Sequence, residues 1–169
     1  KQSGSLSILG TLIVRSNGTI NTDVVRSVLE LRTTMAAEVA KMCARRGSDD
    51  TYHQLDRLLF EMESAQDDLS LLQKLAMRYW GVVVSGTDNI AYQLAYNALD
   101  TTYRSIEEQL THVLAAELRC TEDYQSLKEH MQQQNGEAAA AVAQSIVNRG
   151  QLAILTLLDA LDDQPGYNS

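Results

Sequence analysis

Residues 21–64, NTDVVRSVLELRTTMAAEVAKMCARRGSDDTYHQLDRLLFEMES, decide the fold class of this chain. Asn21 or Thr22 can cap a first helix, because its side-chain oxygen can accept a hydrogen bond from a free N–H of the first turn. Gly47 ends that helix, and Ser48 begins a second one that runs to about residue 64. Along the first helix, apolar side chains recur at three- and four-residue spacing, at Val28, Leu31, Met35, Val39 and Met42. The pattern predicts two helices joined by a tight turn and packed antiparallel.

The rest of the chain carries the same helical signals and no convincing strand. The predicted elements are a third helix from about Asp67-Asp68 to Ser85, a long fourth helix from about Asn89 to Leu118, a fifth capped by Thr121 and ending at Asn135-Gly136, and a last helix from about Glu137 to Asp162, ended by Pro165-Gly166. The sequence therefore predicts an all-α fold, an antiparallel bundle of about six helices.

Composition limits what this chain can do alone. Its 169 residues suit one domain with its own core. The formal net charge is −8, and no segment concentrates Lys and Arg, so the basic surface that binds phosphate backbones is missing. The charge argues against DNA binding by this chain on its own.

No motif for catalysis is present. A di-iron centre in a helical bundle uses paired Glu-x-x-His motifs, and the chain contains none. His53, His112 and His130 fall on three different helices among polar neighbours, which favours solvated surface positions over metal ligands. A nucleophile elbow, a phosphate-binding glycine loop and a zinc-protease motif are also missing. We expect a protein that is not an enzyme and that needs no cofactor.

Cysteine usage and hydropathy indicate the compartment. Cys43 and Cys120 lie far apart without metal-ligand spacing, so we expect reduced packing residues. The apolar runs are shorter than the roughly 20 residues of a membrane span, and no signal peptide opens the sequence. A cytoplasmic location is expected.

Tyrosines occupy an apolar face of the predicted fourth helix. That face contains Tyr92, Tyr96, Leu99, Tyr103, Ile106 and Leu110. A buried phenol needs a hydrogen-bond partner, which can be another protein group, water or a ligand. The stripe is therefore equally compatible with satisfied core tyrosines and with a binding site.

Two further residues break the apolar pattern. Arg32 lies on or beside the core stripe of the first helix, where a buried guanidinium requires a carboxylate from another helix or an anionic ligand, unless it extends to solvent at the domain edge. Gly150 lies inside the last helix, on the stripe of Val142, Ile146, Ala153 and Leu157, and costs about 1 kcal/mol there relative to Ala. A glycine at this position makes room for a crossing helix or a bound molecule. Arg32, Tyr79, Tyr103 and Gly150 could together line one cavity.

Several segments, in order, resemble the effector domain of FadR-type regulators in the GntR superfamily. They are SGSLSILGTLI (3–13), VVRSVLELRTT (24–34), YWGVVVSGTDNIAY (79–92), NALDTTYRSI (97–106) and DYQSLKEHM (123–131). The resemblance implies an antiparallel bundle of six to seven helices around a ligand cavity, a homodimer, and a long-chain fatty acyl-CoA as effector. It also implies control of fatty acid metabolism through an N-terminal winged helix-turn-helix that binds DNA and is absent from this chain.

On this interpretation the chain divides into three parts. Residues 1–20 form a linker and a first short helix, residues 21–163 the helical ligand-binding and dimerisation domain, and residues 164–169 a tail. Ligand-binding positions of the family correspond to Arg32, Tyr79, Tyr103, Tyr124 and Gly150, and the stripe adds Tyr96 as a further candidate.

The chain departs from the family pattern near the end that would hold CoA. Where the family pocket presents a His, an acidic residue and a hydroxyl residue, this chain has Gln151, Leu152 and Ala153. Relatives that bind a metal use one Asp and three His, but Trp80 and Gln151 occupy two of those positions and the Asp position is apolar. No metal is expected.

Two alternatives keep the fold and change the function. The first is a sensor of a small metabolite carboxylate held by Arg32, which needs only a small polar site, whereas an acyl chain needs an apolar tunnel. The second is a ligand-free helical dimerisation module, in which internal partners satisfy all three tyrosines of the stripe.

Overall fold

The computed structural model describes residues 12–13, 18–104 and 107–162. Their helices are α1 (Thr22–Arg46), α2 (Asp49–Ser64), α3 (Leu69–Ser85), α4 (Ile90–Arg104), α5 (Glu107–Leu110), α6 (Ala115–Leu118), α7 (Thr121–Gln132) and α8 (Gly136–Asp162). No extended strand occurs in these ranges. The predicted all-α class is confirmed, whereas the predicted linker and tail lie largely outside the described residues.

Several predicted helix ends are confirmed by their caps. The Asn21 side chain accepts from the Val24 N–H at the start of α1, and Gly47 follows its end. Ser48 and Thr51 form a reciprocal capping box at the start of α2. Asp68 caps α3 by accepting from the Leu71 N–H at 3.0 Å. The predicted cap of the fifth helix is one residue off, because Cys120 occupies that position.

The bundle is built on the two longest helices. α1 and α8 run antiparallel along each other: Arg26 pairs with Asp159 at 2.7 Å near one end, and Lys41 pairs with Glu137 at 3.3 Å near the other. α2 packs on α3 and α7, and α7 packs on α8. The predicted antiparallel pairing of the first two helices is wrong, because α1 turns its broad apolar face to α8.

The predicted long fourth helix is also wrong. Among the described residues it is interrupted at 111–114, which form a turn between α5 and α6, without a glycine or proline to mark the break. Buried Gln73 of α3 donates to the Glu107 carbonyl at 3.3 Å and accepts from the Thr111 hydroxyl at 2.5 Å. These tertiary hydrogen bonds stabilise the turn between α5 and α6, so long-range contacts prevail over local helix propensity.

The last helix buries a face slightly different from the predicted one. Gly150 is buried and Ile146 is fully buried, as the stripe requires. Further along, Ile154 and Leu158 point inward, whereas Leu157 is 40% exposed, so the stripe was placed one residue too early there. Among the described helices, none has the length and hydropathy to cross a membrane.

Candidate ligand-binding site

A cavity of about 100 Å³ lies at the centre of the bundle, between α1, α3, α4, α8 and the segment that carries α5 and α6. We call it the central cavity. Its lining is mostly apolar and consists of Ile13, Val25, Val28, Leu29, Arg32, Met35, Ala36, Val39, Met77, Trp80, Val84, Tyr96, Leu99, Thr102, Tyr103, Leu110, Leu114, Val147 and Ile154. The apolar face of α1 therefore packs against α8 and also forms one wall of the cavity.

Arg32 brings a charge to this wall, and Glu117 of α6 neutralises it. The Arg32 guanidinium donates through Nη2 to Glu117 Oε1 and through Nη1 to the Val147 carbonyl at 3.5 Å. The Glu117 side chain is only 3% exposed. Burial raises the pKa of Glu117, an effect that Arg32 opposes, and the nearby carboxylate raises the pKa of Arg32 despite its desolvation. The predicted need for a carboxylate from another helix is therefore met within the chain.

Gly150 makes room for that carboxylate. A Cβ atom at this position would overlap Glu117 Oε2 and lie 2.6 Å from Leu114 Cδ2, far inside van der Waals contact. Gly150 is therefore required by the close approach of α6 to α8, and it does not line the central cavity. Of the two predicted explanations, a crossing element is the one observed.

The tyrosines fall into two groups. Tyr96 and Tyr103 line the cavity. The Tyr96 hydroxyl donates to the Met77 carbonyl, and the Tyr103 hydroxyl accepts from Nε2 of Gln73. These two phenols therefore have internal partners, as a ligand-free module requires.

Tyr79 and Tyr124 lie behind the cavity wall, fully buried, in an aromatic cluster with Trp80. Ring centroids of Tyr79 and Tyr124 are 5.0 Å apart in an edge-to-face arrangement, and the Tyr79 hydroxyl donates to the Tyr124 carbonyl at 2.8 Å. Burial raises the pKa of both phenols well above their usual value.

Two buried polar atoms of this cluster have no hydrogen-bond partner among the described residues. They are the Trp80 indole N–H and the Tyr124 hydroxyl. The indole is near enough to Tyr124 to lower its pKa slightly against the larger effect of burial. Trp80 also lines the cavity, but its N–H lies beside Tyr124, which is not part of the cavity lining.

The structure thus brings Arg32, Tyr96 and Tyr103 of the predicted set to one cavity. Sequence reasoning missed the roles of Glu117 and Gln73. Glu117 carried a signal, because it lies three residues after Leu114 and beside Leu118, on an apolar face where a carboxylate needs a partner. Gln73 carried a weaker signal. A single glutamine next to Leu72 on an otherwise apolar helix usually lies at the protein surface, so its position did not indicate burial.

Comparison with known proteins adds the family. The sequence profile of the FCD domain matches residues 27–149, which is most of the chain. This chain belongs to the FCD domain family. FCD domains are the C-terminal effector domains of GntR-family transcription regulators, so the predicted resemblance is confirmed at this level.

Two mycobacterial regulators are similar to this FCD domain along nearly its whole length. They are the HTH-type transcriptional regulator Mce2R of Mycobacterium tuberculosis and the uncharacterized HTH-type transcriptional regulator Mb0601 of Mycobacterium bovis. Each is 25% identical over 158 residues, which cover 94% of this chain and 65% of the relative. The chain therefore spans about two thirds of the length of these relatives.

In this FCD domain, the positions where the sequence departs from the family pattern contribute little to the cavity. Gln151 accepts a hydrogen bond from the Thr33 hydroxyl of α1, and Leu152 is 69% exposed. Within the described ranges, no group of three or more His, Cys, Asp or Glu is placed to hold a metal ion. His53 and His112 are exposed and His130 is half-buried.

Proposed function

We propose that this FCD domain is the ligand-sensing and dimerising half of a transcription regulator, and that its ligand carries a long acyl chain, with a fatty acyl-CoA as the leading candidate. The observation that supports the proposal is the central cavity, whose walls are apolar side chains from five segments of the bundle. An aliphatic chain gains free energy when it leaves water for such a site. DNA binding belongs to a winged helix-turn-helix elsewhere in the full-length protein.

The charges of the cavity favour an acyl chain over a small carboxylate. Arg32 is the cation that would hold a carboxylate, and Glu117 already neutralises it. A small acid would have to displace Glu117 and leave that carboxylate buried without a partner, which is costly. An acyl chain can use the apolar walls without breaking the pair.

The central cavity must expand to hold an acyl ligand. Ligand sites usually enclose about 300–1,000 Å³, more than the 100 Å³ found between these helices. Ligand binding must therefore move part of the wall outward. The segment formed by α5 and the turn after it, residues 107–114, is the part that can move without separating Glu117 of α6 from Arg32. Its displacement is the coupling that we propose between ligand and DNA binding.

Two further features belong to this proposal. The homodimer would use exposed apolar side chains such as Ile90 and Leu94, which lie one turn apart on α4 and are 70% and 61% exposed. No catalytic role is proposed, since both similar proteins are regulators and the cavity lining contains no nucleophile with an adjacent base.

Calorimetric titration of the delipidated domain with a long-chain acyl-CoA, the free fatty acid and CoA alone tests the proposal. We expect saturable binding of the acyl-CoA and no binding of CoA alone. Val28→Phe, which places a larger side chain in the cavity lining, should weaken binding, whereas Arg45→Ala, at the far end of α1 and away from the cavity, should not. No heat with any acyl compound would overturn the proposal and leave the small-carboxylate sensor and the ligand-free module.

A further inference from the structure

Three buried polar atoms, one each on α3, α6 and α7, have no hydrogen-bond partner among the described residues. They are Nε1 of Trp80, Oε2 of Glu117 and the hydroxyl oxygen of Tyr124. The three residues are 8%, 2% and 0% exposed, so bulk solvent does not reach these atoms. Burying a polar atom without a partner is costly, and each such atom in a folded protein requires a physical explanation.

The three atoms belong to neighbouring side chains. The rings of Trp80 and Tyr124 meet edge to face with their centroids 6.4 Å apart, and the Tyr79 hydroxyl holds α3 against α7 by donating to the Tyr124 carbonyl at 2.8 Å. Burial raises the pKa of Tyr124, the Glu117 carboxylate raises it further, and the indole N–H lowers it. The Tyr124 hydroxyl therefore has both the carboxylate and the indole as neighbours. No two of the three atoms form a direct hydrogen bond with each other.

The donors and acceptors of this group select a neutral molecule. The Trp80 N–H can only donate and the Glu117 carboxylate can only accept, whereas the Tyr124 hydroxyl can do both. A cation would be opposed by the indole N–H, and an anion would be repelled by the buried carboxylate. Water both donates and accepts, and a buried water typically makes about three hydrogen bonds. The lining of the central cavity includes neither Tyr124 nor Glu117, so the space beside them suits a small molecule of this kind.

We infer that Trp80, Tyr124 and Glu117 bind one structural water molecule, which accepts from the Trp80 N–H, donates to Glu117 Oε2 and hydrogen-bonds to the Tyr124 hydroxyl. The other oxygen of the same carboxylate accepts from Arg32. A carboxylate held at both oxygens stays on Arg32, so the water site helps to withhold Arg32 from anionic ligands. The site does not require the proposed acyl ligand, because its polar atoms lie behind the cavity wall.

A high-resolution crystal structure of the domain tests the site directly. We expect an ordered solvent peak within about 3.2 Å of all three atoms. Because the chain has one tryptophan, the same site can be followed in solution through a single indole N–H resonance. A water-selective NOE experiment on the ¹⁵N-labelled domain should show a cross-peak from this resonance to bound water. Direct hydrogen bonds between the three side chains, with no solvent peak among them, would overturn the inference.

The stability of Tyr124→Phe tests the same site energetically. Loss of a hydroxyl that bonds to the water should lower the urea unfolding midpoint, whereas loss of a hydroxyl without a partner should leave the midpoint unchanged or raise it. Tyr92→Phe, a half-buried tyrosine of α4 outside this cluster, is the matched control and should leave the midpoint as it is. A Tyr124→Phe midpoint at or above that of the wild type would contradict the water site.

Discussion

At the residue scale, the most consequential contact is the buried pair of Arg32 and Glu117 with Gly150 beside it. The pair places a charge next to an apolar cavity and still leaves no unneutralised ion. Its geometry depends on α8 offering no side chain at one position. The ligand proposal depends on this contact, because a free Arg32 would instead favour a small acid.

Gly150→Ala should destabilise the domain by about 1–3 kcal/mol, because the new methyl group overlaps the Glu117 carboxylate. Helix propensity alone predicts the opposite, a gain of up to about 1 kcal/mol. Urea unfolding measures the difference. Gly136→Ala is the matched control, since its Cβ would meet Lys41 at an ordinary 3.6 Å. A Gly150→Ala protein more stable than the wild type would contradict the close contact with Glu117.

Tyr52 gives a prediction about pH. Its hydroxyl donates to the Cys43 and Met131 carbonyls at 3.2 and 3.0 Å, and burial raises its pKa to about 12. The folded pKa lies above the unfolded value near 10, so the stabilisation is present below pH 10 and is lost as the pH rises towards 12.

The loss should amount to about 2 kcal/mol by pH 11.5. Unfolding free energies of wild type and Tyr52→Phe, measured at pH 9 and at pH 11.5, should therefore converge as the pH rises, because the variant lacks the ionising group. Parallel pH profiles for the two proteins would show that Tyr52 ionises as readily in the folded state as in the unfolded one.

At the element scale, the sequence was sufficient wherever a cap coincided with an apolar stripe. Asn21, Ser48 and Asp68 marked true helix starts. It was insufficient between residues 107 and 120. There the turn at residues 111–114 depends on Gln73 of another helix, and no local residue indicates it.

Gln73→Leu should therefore loosen α5 and α6 specifically. The substitution leaves the Tyr103 hydroxyl without the Gln73 amide, at a cost of about 1–3 kcal/mol if it stays buried, and removes one of the two acceptors of the Thr111 hydroxyl, which keeps the Glu107 carbonyl. Hydrogen exchange should accelerate over residues 107–118 and not in α7. Gln125→Leu, which removes an exposed glutamine of α7, is the control. Uniform exchange rates across both variants would contradict the role given to Gln73.

At the scale of the whole molecule, the all-α class and the family were accessible from the sequence, but the pairing of helices was not. A tight turn after Gly47 indicated that α1 and α2 pair, whereas α1 lies along α8, more than 90 residues later. Such pairings depend on the total apolar surface that each helix can bury, which a local pattern does not report. Of the predicted ligand-binding residues, Arg32, Tyr96 and Tyr103 line the central cavity, whereas Tyr79, Tyr124 and Gly150 do not.

The central claim is that an acyl chain occupies the cavity, and Trp80 reports on it directly. It is the only tryptophan of the chain, and it lines the cavity. Titration with an acyl-CoA brominated along its chain, compared with the unbrominated compound, measures whether the chain contacts the indole, since bromine quenches tryptophan fluorescence only at short range. We predict saturable quenching by the brominated compound alone. Binding without differential quenching would place the chain elsewhere and contradict the account.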